Sequence, residues 1–506
     1  MATIEQDLQA QGFALRETHI SRVFLAEDLV YKLKKPVQLG FLDFTSLERR
    51  EHYCHAEVTL NRRLAPGVYL GVVPVTRDAQ GVHRVRGEGE VVDYAVEMRR
   101  LSDDDAADVR LRAGRLGHDE LERIAVRIAR FHAEARCDTE TERFGTRSVI
   151  EGNVRENFEQ TRDSAPLALA LAELSALEQW QLRFLRERER VFAERIARGR
   201  IRDGHGDLRL EHCYLHAHGE VEIIDCIEFN ERFRYADVCA DIAFLAMDLS
   251  WHERSDLSEA LVAYYARESG DYDLYALLDF YQSYRAYVRG KVSSIMEQSA
   301  DSEDARSRAH AQARKYYLLS EACTREPLAP PRLLAVGGYI AAGKSTAADR
   351  LGRLLSAPVI SSDRLRKQLA GVQPTQPLRD GAFRGEYAPE KSEQVYAELL
   401  RLGEVVLASG RSVVLDASFS ERKQRDALRA LAERRGVAFR FIECWAPEDV
   451  ITARLAERAK GPSVSDGRSE VFEAFKQRYE PLRDGEGVRL DTTRDVDAAL
   501  TAFSRA

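Results

Sequence analysis

Apolar and polar positions alternate in short runs over the first hundred residues. Arg22–Leu25, Leu29–Lys34, Gly71–Val75, Val82–Val85 and Val91–Met98 read as strands of this kind. One helical stretch, about Ser46 to Leu64, interrupts them. From about Asp119 the apolar spacing changes to three and four, which predicts helices over Glu120–Ala135, over the long charged stretch Leu167–Arg198 and over Ser302–Cys323. A short strand pair, Cys213–His216 and Val221–Asp225, sits among them. Strands followed by helices predict an α+β bilobal domain over residues 1–325, strand-rich to about residue 100 and helix-rich from 101.

The pattern breaks at Glu326-Pro327-Leu328-Ala329-Pro330-Pro331, where three prolines in five residues cannot continue a helix. Residues 326–331 are therefore expected to be a linker. Beyond it, strands at Leu333–Val336, Pro358–Ser361, Ser412–Asp416 and Ala438–Cys444 alternate with helices near Lys344–Leu355, Lys391–Ala408, Arg422–Arg435 and Pro447–Arg458. That alternation predicts an α/β domain over residues 332–506, built on a parallel sheet covered on both faces.

Composition narrows the function classes. The 506 residues exceed one ordinary core, and 44% hydrophobic with 31% charged residues excludes a wholly disordered chain. With 75 Lys+Arg against 83 Asp+Glu, the net charge of −8 argues against a general basic coat for nucleic acid or anionic lipid. Seven scattered cysteines without a CxxC pair read as reduced core thiols. The N-terminus has no apolar run and no stretch reaches the roughly 20 residues of a spanning helix, so a cytoplasmic protein without membrane partners is expected.

The strongest chemical signal is Gly338-Tyr339-Ile340-Ala341-Ala342-Gly343-Lys344-Ser345, followed by Thr346, between a predicted strand and a predicted helix. Such a P-loop wraps backbone N–H groups around nucleotide phosphates, with Lys344 at the β/γ-phosphates and the Ser345 hydroxyl on Mg²⁺. Asp363 and Arg366, three apart at a helix start, share a face: a carboxylate to accept a hydroxyl proton and a guanidinium to hold an anionic substrate. Asp416 ends a buried strand, where a contact to Mg²⁺ is expected. Arg454 and Arg458, four apart before the loop Gly461 to Gly467, suit a lid closing on the transferring phosphate. Upstream, His205-Gly206-Asp207 leads through His212 to Ile223-Ile224-Asp225. An Asp, a second polar residue five positions on and an Asp at the end of a hairpin strand match a phosphotransfer arrangement of base and metal ligands.

Residues 332–506 resemble the small-molecule and polynucleotide kinase branch of P-loop proteins, which includes gluconate kinase and zeta-toxin-like kinases. The resemblance implies that Asp363 activates the acceptor hydroxyl and that Arg366 orients the substrate. The upstream motifs resemble the aminoglycoside and choline phosphotransferase family. This implies a kinase fold with Asp207 as base, His212 and Asp225 on Mg²⁺, and Lys32 at the α/β-phosphates with Glu57 as its partner. Lys34 and Lys35 compete with Lys32 for that role. Tyr94–Met98 would lie against adenine, and Arg130-Phe131-His132, Asp237 and Asp241 match further family segments. His212 stands where that family has Asn, and no glycine-rich loop occurs at Thr18–Arg22. As a whole, including Phe41-Leu42-Asp43-Phe44, the chain resembles bacterial bifunctional aminoglycoside phosphotransferase/ATP-binding proteins. The expectation is two kinase sites using ATP and Mg²⁺ on a small-molecule or nucleotide-type acceptor. The alternatives are a nucleic-acid 5′-hydroxyl kinase with a regulatory first domain, and an ATP-sensing module.

Overall fold

The computed structural model describes residues 2–40, 42–327, 329–378, 383–461 and 463–505. Phe41 and Leu328, part of two motifs named above, lie outside the described residues. The chain divides into two units, Met1–His252 with Tyr284–Tyr317, and Glu253–Ser283 with Leu318–Ala506. No described helix is long and apolar enough to cross a membrane.

The first unit opens on β1 (Ala14–Glu17), β2 (Ser21–Leu25) and β3 (Leu29–Lys34). A small hairpin follows, β4 (Gln38–Leu39) with β5 (Leu42–Asp43), and then β6 (Tyr69–Arg77), β7 (His83–Val85) and β8 (Glu90–Arg99). Six of these make an antiparallel sheet in the order β1-β2-β3-β8-β6-β7. Period-two alternation sorts β3 cleanly. Tyr31 and Leu33 join Leu8, Phe24 and Val75 in a core on one face. Val30 packs on the other face with Val96, Cys54 and Val58, against the helix Leu47–Asn61. Lys32 and Lys34 share this second face, so both ammonium groups approach that helix.

The helical part carries two short antiparallel pairs, β9 (Ile201–Asp203) with β12 (Tyr235–Asp237) and β10 (Cys213–Leu215) with β11 (Val221–Ile223). The predicted stretch Leu167–Arg198 is two helices, Leu171–Glu187 and Glu189–Ala197, separated where Arg188 leaves helical geometry at φ −109°, ψ 16°. The cysteine expectation needs correcting as well. Cys54, Cys213, Cys226, Cys239 and Cys444 are buried thiols, whereas Cys137 is exposed and Cys323 half-buried.

The second unit is built on β13 (Arg332–Gly338), β14 (Val359–Ser361), β15 (Val413–Asp416), β16 (Ala438–Trp445) and β17 (Val488–Asp491). All neighbours run parallel, in the order β14-β15-β13-β16-β17. Leu334, Val336, Val414 and Ile442 form a core with Ala347 and Leu351 of the helix Lys344–Leu355 and Leu500 of the last helix. Sequence patterning misses β17, because an edge strand with two exposed residues in four carries little hydrophobic signal.

Glu253–Ser283 belongs to this unit through charged and polar contacts. Arg411 reaches Glu259 at 2.7 Å and Asp279 at 2.7 Å, and Arg401 meets Asp273 through two nitrogens at 2.7 and 3.0 Å. The Tyr272 hydroxyl donates to the Val359 carbonyl at 2.7 Å. Arg411 is 14% exposed, so removing it strands two partly buried carboxylates. We expect Arg411→Ala to cost about 1–3 kcal/mol, below the value for a fully buried pair because solvent screens both acids. Hydrogen exchange should show the loss first in the helix Ser255–Ser269.

Candidate functional site

In the second unit, β13 delivers the chain into a tight loop. Gly338 sits at φ 125°, where an added Cβ would lie 2.3 Å from the Cys444 carbonyl oxygen. Only glycine fits there. Ala341 (φ 58°) and Gly343 (φ 89°) then turn the backbone through the left-handed region, and the helix Lys344–Leu355 begins at once, without a side-chain cap. A helix N-terminus left open in this way is an anion site whose amides and dipole favour phosphate.

The side chains around this cradle are arranged by the sheet. The Ser345 hydroxyl donates to Asp416 Oδ2 at 2.9 Å, and Asp416 is buried at the end of β15. Burial pushes its carboxyl up to about 6, with Lys344 opposing the shift and Asp363 adding to it. Lys344 donates to the Tyr339 carbonyl at 2.7 Å, and burial lowers its ammonium below the usual lysine range. A cavity of about 610 Å³ opens over the loop and is lined by Lys344, Ser345, Asp363, Arg366, Asp416 and Arg458 among others. Ile340, Ala341, Gly343 and Thr346 of the loop line it too. The structure thus gathers most of the residues singled out downstream of the prolines.

Gly338, Tyr339 and Ala342 of the loop do not line this cavity, and neither does Arg454. The Arg454 fork donates to Thr492 Oγ1 at 2.9 Å and to the Thr492 carbonyl at 2.9 Å, while the Thr492 hydroxyl donates to the Ala342 carbonyl at 2.9 Å. Arg454 therefore braces the loop instead of entering the cavity, and Arg458, one turn on, is the one of the two that lines it. Two further residues escaped sequence reasoning. Thr492 follows the unpredicted β17. Asp466, inside the loop Gly461 to Gly467, accepts from the Tyr387 hydroxyl at 2.7 Å and pairs with Lys367 at 3.3 Å.

In the first unit the upstream motif residues also converge. Glu57, fully buried, bridges Lys32 at 2.8 Å and Lys34 at 2.8 Å; Lys34 also pairs with Glu228, and Lys32 with Asp225 at 2.5 Å. Lys35 lies elsewhere, 3.5 Å from Glu17. Burial works against the Glu57 charge, but the two lysines outweigh it and hold the carboxyl below the usual range. Asp225 sits at φ 65°, its N–H donating to the Tyr69 hydroxyl at 3.1 Å. Tyr94–Met98 lies within β8, paired with β3 and β6.

Asp241 holds the Asp207 loop, accepting from the N–H of His205 at 2.6 Å and of Gly206 at 2.9 Å. His132 lies 3.3 Å from the same carboxylate. Asp207 itself is gripped by Arg209 through two bonds of 3.1 and 3.0 Å. Burial raises the Asp207 carboxyl, but Arg209 and then His212 outweigh that and hold it well below the usual range. His212 Nδ1–H donates to the Asp207 carbonyl at 2.8 Å, which turns Nε2 toward Asp225 Oδ2 at 3.5 Å. Among the described residues no three His, Cys, Asp or Glu side chains form a ready metal cage. One or two carboxylates are what Mg²⁺ takes from a protein when phosphates supply the other oxygens.

A family model described as AAA domain matches residues 333–482. Among solved structures, a choline/ethanolamine kinase family protein from Mesorhizobium loti is 11% identical, covering 62% of this chain and 92% of that one, with a TM-score of 0.35. A gluconokinase from Sinorhizobium meliloti 1021 is 22% identical over 34% of this chain and 89% of that one, with a TM-score of 0.25. The full-length matches are of a different order. The uncharacterized proteins Rv2004c of Mycobacterium tuberculosis and Mb2027c of Mycobacterium bovis are each 35% identical over 481 residues, 94% of this chain and 92% of theirs. The chain belongs to the family these mycobacterial proteins form, with an AAA domain in its C-terminal part.

Proposed function

We propose that the second unit is an ATP-dependent kinase that transfers the γ-phosphoryl group to a hydroxyl of a small-molecule or nucleotide-type acceptor. The observation that carries this reading is the opening of one cavity onto the uncapped P-loop helix, the Ser345–Asp416 pair and the Asp363 carboxylate together. Ser345 and Asp416 offer hard oxygen donors of the kind Mg²⁺ takes, and they are the residues that would hold it. Bound there, Mg²⁺ would neutralise charge on the β- and γ-phosphates. Lys344, which donates to the Tyr339 carbonyl, would neutralise the same phosphates. Asp363 accepts the acceptor's hydroxyl proton, Arg366 orients the acceptor, and Arg458 meets the charge that develops on the transferring group. Arg454 keeps the loop in shape through Thr492.

For the first unit we propose a second ATP site of the aminoglycoside and choline phosphotransferase type, with Lys32 and Glu57 on the nucleotide side and Asp225 and His212 on the metal side. The convergence of Lys32, Glu57, Asp225, His212 and Asp207 in one cluster supports it. Arg209 then fixes the direction of Asp207 and keeps it ionised. Arg209 bonds each Asp207 oxygen once, which leaves a lone pair on each to accept from a substrate hydroxyl.

Lys344→Ala is expected to lower turnover at the second site by about 10³-fold, the scale of a lost charge-stabilising group. Asp363→Asn should lower it by about 10²–10⁴-fold, as for a lost general base. Calorimetry should show ATP binding nearly intact in Asp363→Asn; a large loss of ATP affinity there would contradict the assignment of Asp363 as base. Labelled-ATP assays on a metabolite panel test the first unit. Phosphotransfer that survives Lys344→Ala should vanish when Asp207→Ala is added, and complete silence in Lys344→Ala alone would refute a second active site.

A further inference from the structure

The cavity continues past Asp363 into a region that phosphoryl transfer does not need. Two of its acids are already engaged. Glu393 and Glu421 share the Lys423 ammonium at 3.1 Å each. Asp466 is also held, by Tyr387 and Lys367.

Arg366 is not matched in this way. It is 94% buried, its guanidinium lies 4.5 Å from the centre of the Tyr387 ring, and it donates to the Glu386 carbonyl and, at 3.4 Å, to the Ser392 hydroxyl. Its buried Nε has no hydrogen-bond partner among the described residues. Among the described residues this buried guanidinium has no carboxylate within ion-pair distance and faces a neutral carbonyl and a hydroxyl, and its planar fork matches a phosphate. Farther along, Arg478 lies over one face of Phe383 at 4.2 Å, and Phe475 lies one turn before Arg478 on the helix Ser469–Arg478. All three line the cavity. Aromatic faces flanked by a guanidinium form a stacking platform for a flat ring.

Resting on the kinase reading above, we propose that the acceptor at this site is a nucleoside monophosphate. Its phosphate is taken by Arg366, its base stacks on Phe383 and Phe475, and a ribose hydroxyl is presented to Asp363. In the transfer, the hydroxyl oxygen bonds to the γ-phosphorus of ATP as the bond to the β-bridging oxygen breaks. The hydroxyl proton goes to Asp363, and ADP leaves. A sugar phosphate would satisfy Arg366 and leave the aromatic platform bare; a nucleoside would do the reverse.

The test is calorimetry on the full chain saturated with Mg²⁺ and a non-hydrolysable ATP analogue, which blocks the donor site. The probes are 5′- and 3′-nucleoside monophosphates, the matching nucleosides and glucose 6-phosphate. One of the monophosphates should bind at least ten times more tightly than its nucleoside and than glucose 6-phosphate. Whether it is the 5′ or the 3′ isomer identifies the hydroxyl transferred. Arg366→Gln should weaken the monophosphate about tenfold and leave the nucleoside unchanged, with Arg366→Lys intermediate. Phe383→Ala should weaken monophosphate and nucleoside together while glucose 6-phosphate is unaffected. Glucose 6-phosphate binding as tightly as every nucleotide, or unaltered nucleotide affinity in folded Arg366→Gln and Phe383→Ala, overturns the proposal. Failure of the wild type to bind the ATP analogue would instead overturn the kinase reading itself.

Discussion

The register of β13 against β15 sets the geometry of the second unit's site. Val336 pairs with Asp416 in parallel, so the acid that ends one strand lies beside its neighbour two residues before that neighbour runs on into the P-loop. Parallel strands place their carboxyl ends on one edge of the sheet, and a loop leaving that edge can reach any neighbour's last residue. The bond from Ser345 to Asp416 follows directly, as does the coupling of charge between Asp416 and Lys344. Thr492, just past the end of β17, adds the third element at the same edge and ties the loop to Arg454.

The first unit solves its charge problem differently. Two lysines on one face of β3 would repel each other in a desolvated space if each stood alone. Glu57 takes one oxygen to each, and Asp225 and Glu228 complete the set, so positive and negative groups alternate through the cluster. Burying such a set is costly, and removing any single member leaves a neighbour uncompensated. The same pairing holds Asp225 at a backbone angle uncommon for a residue with a side chain.

How much of this could be read from the amino-acid order depends on the distance over which each signal acts. The P-loop, its strand and its helix are local in sequence, and so is the Asp363–Arg366 helix face; spacing alone locates them. Lys32 and Lys34 are equivalent under strand alternation, and the structure shows why the choice between them was not sharp, since both lean on Glu57. Arg454 and Arg458 are likewise equivalent on a helix wheel. Only the position of Thr492, after an edge strand with no clear pattern, separates the brace from the cavity-facing residue. Arg209 carried no motif meaning, yet it contacts the Asp207 carboxylate more closely than His212 does. Ion pairs such as Arg411 with Glu259 and Asp279 join residues far apart in the chain and leave no trace in local composition.

The path of the chain between its two units has a topological consequence. It passes from one to the other after His252, after Ser283 and after Tyr317, so no single cut separates them. Severing the backbone at the proline stretch would leave Glu259, Asp273 and Asp279 on the upstream fragment and their arginines on the downstream one. The two halves are therefore not interchangeable cassettes. A gene encoding the downstream half alone would have to supply a substitute for the helix Ser255–Ser269, which the upstream half carries.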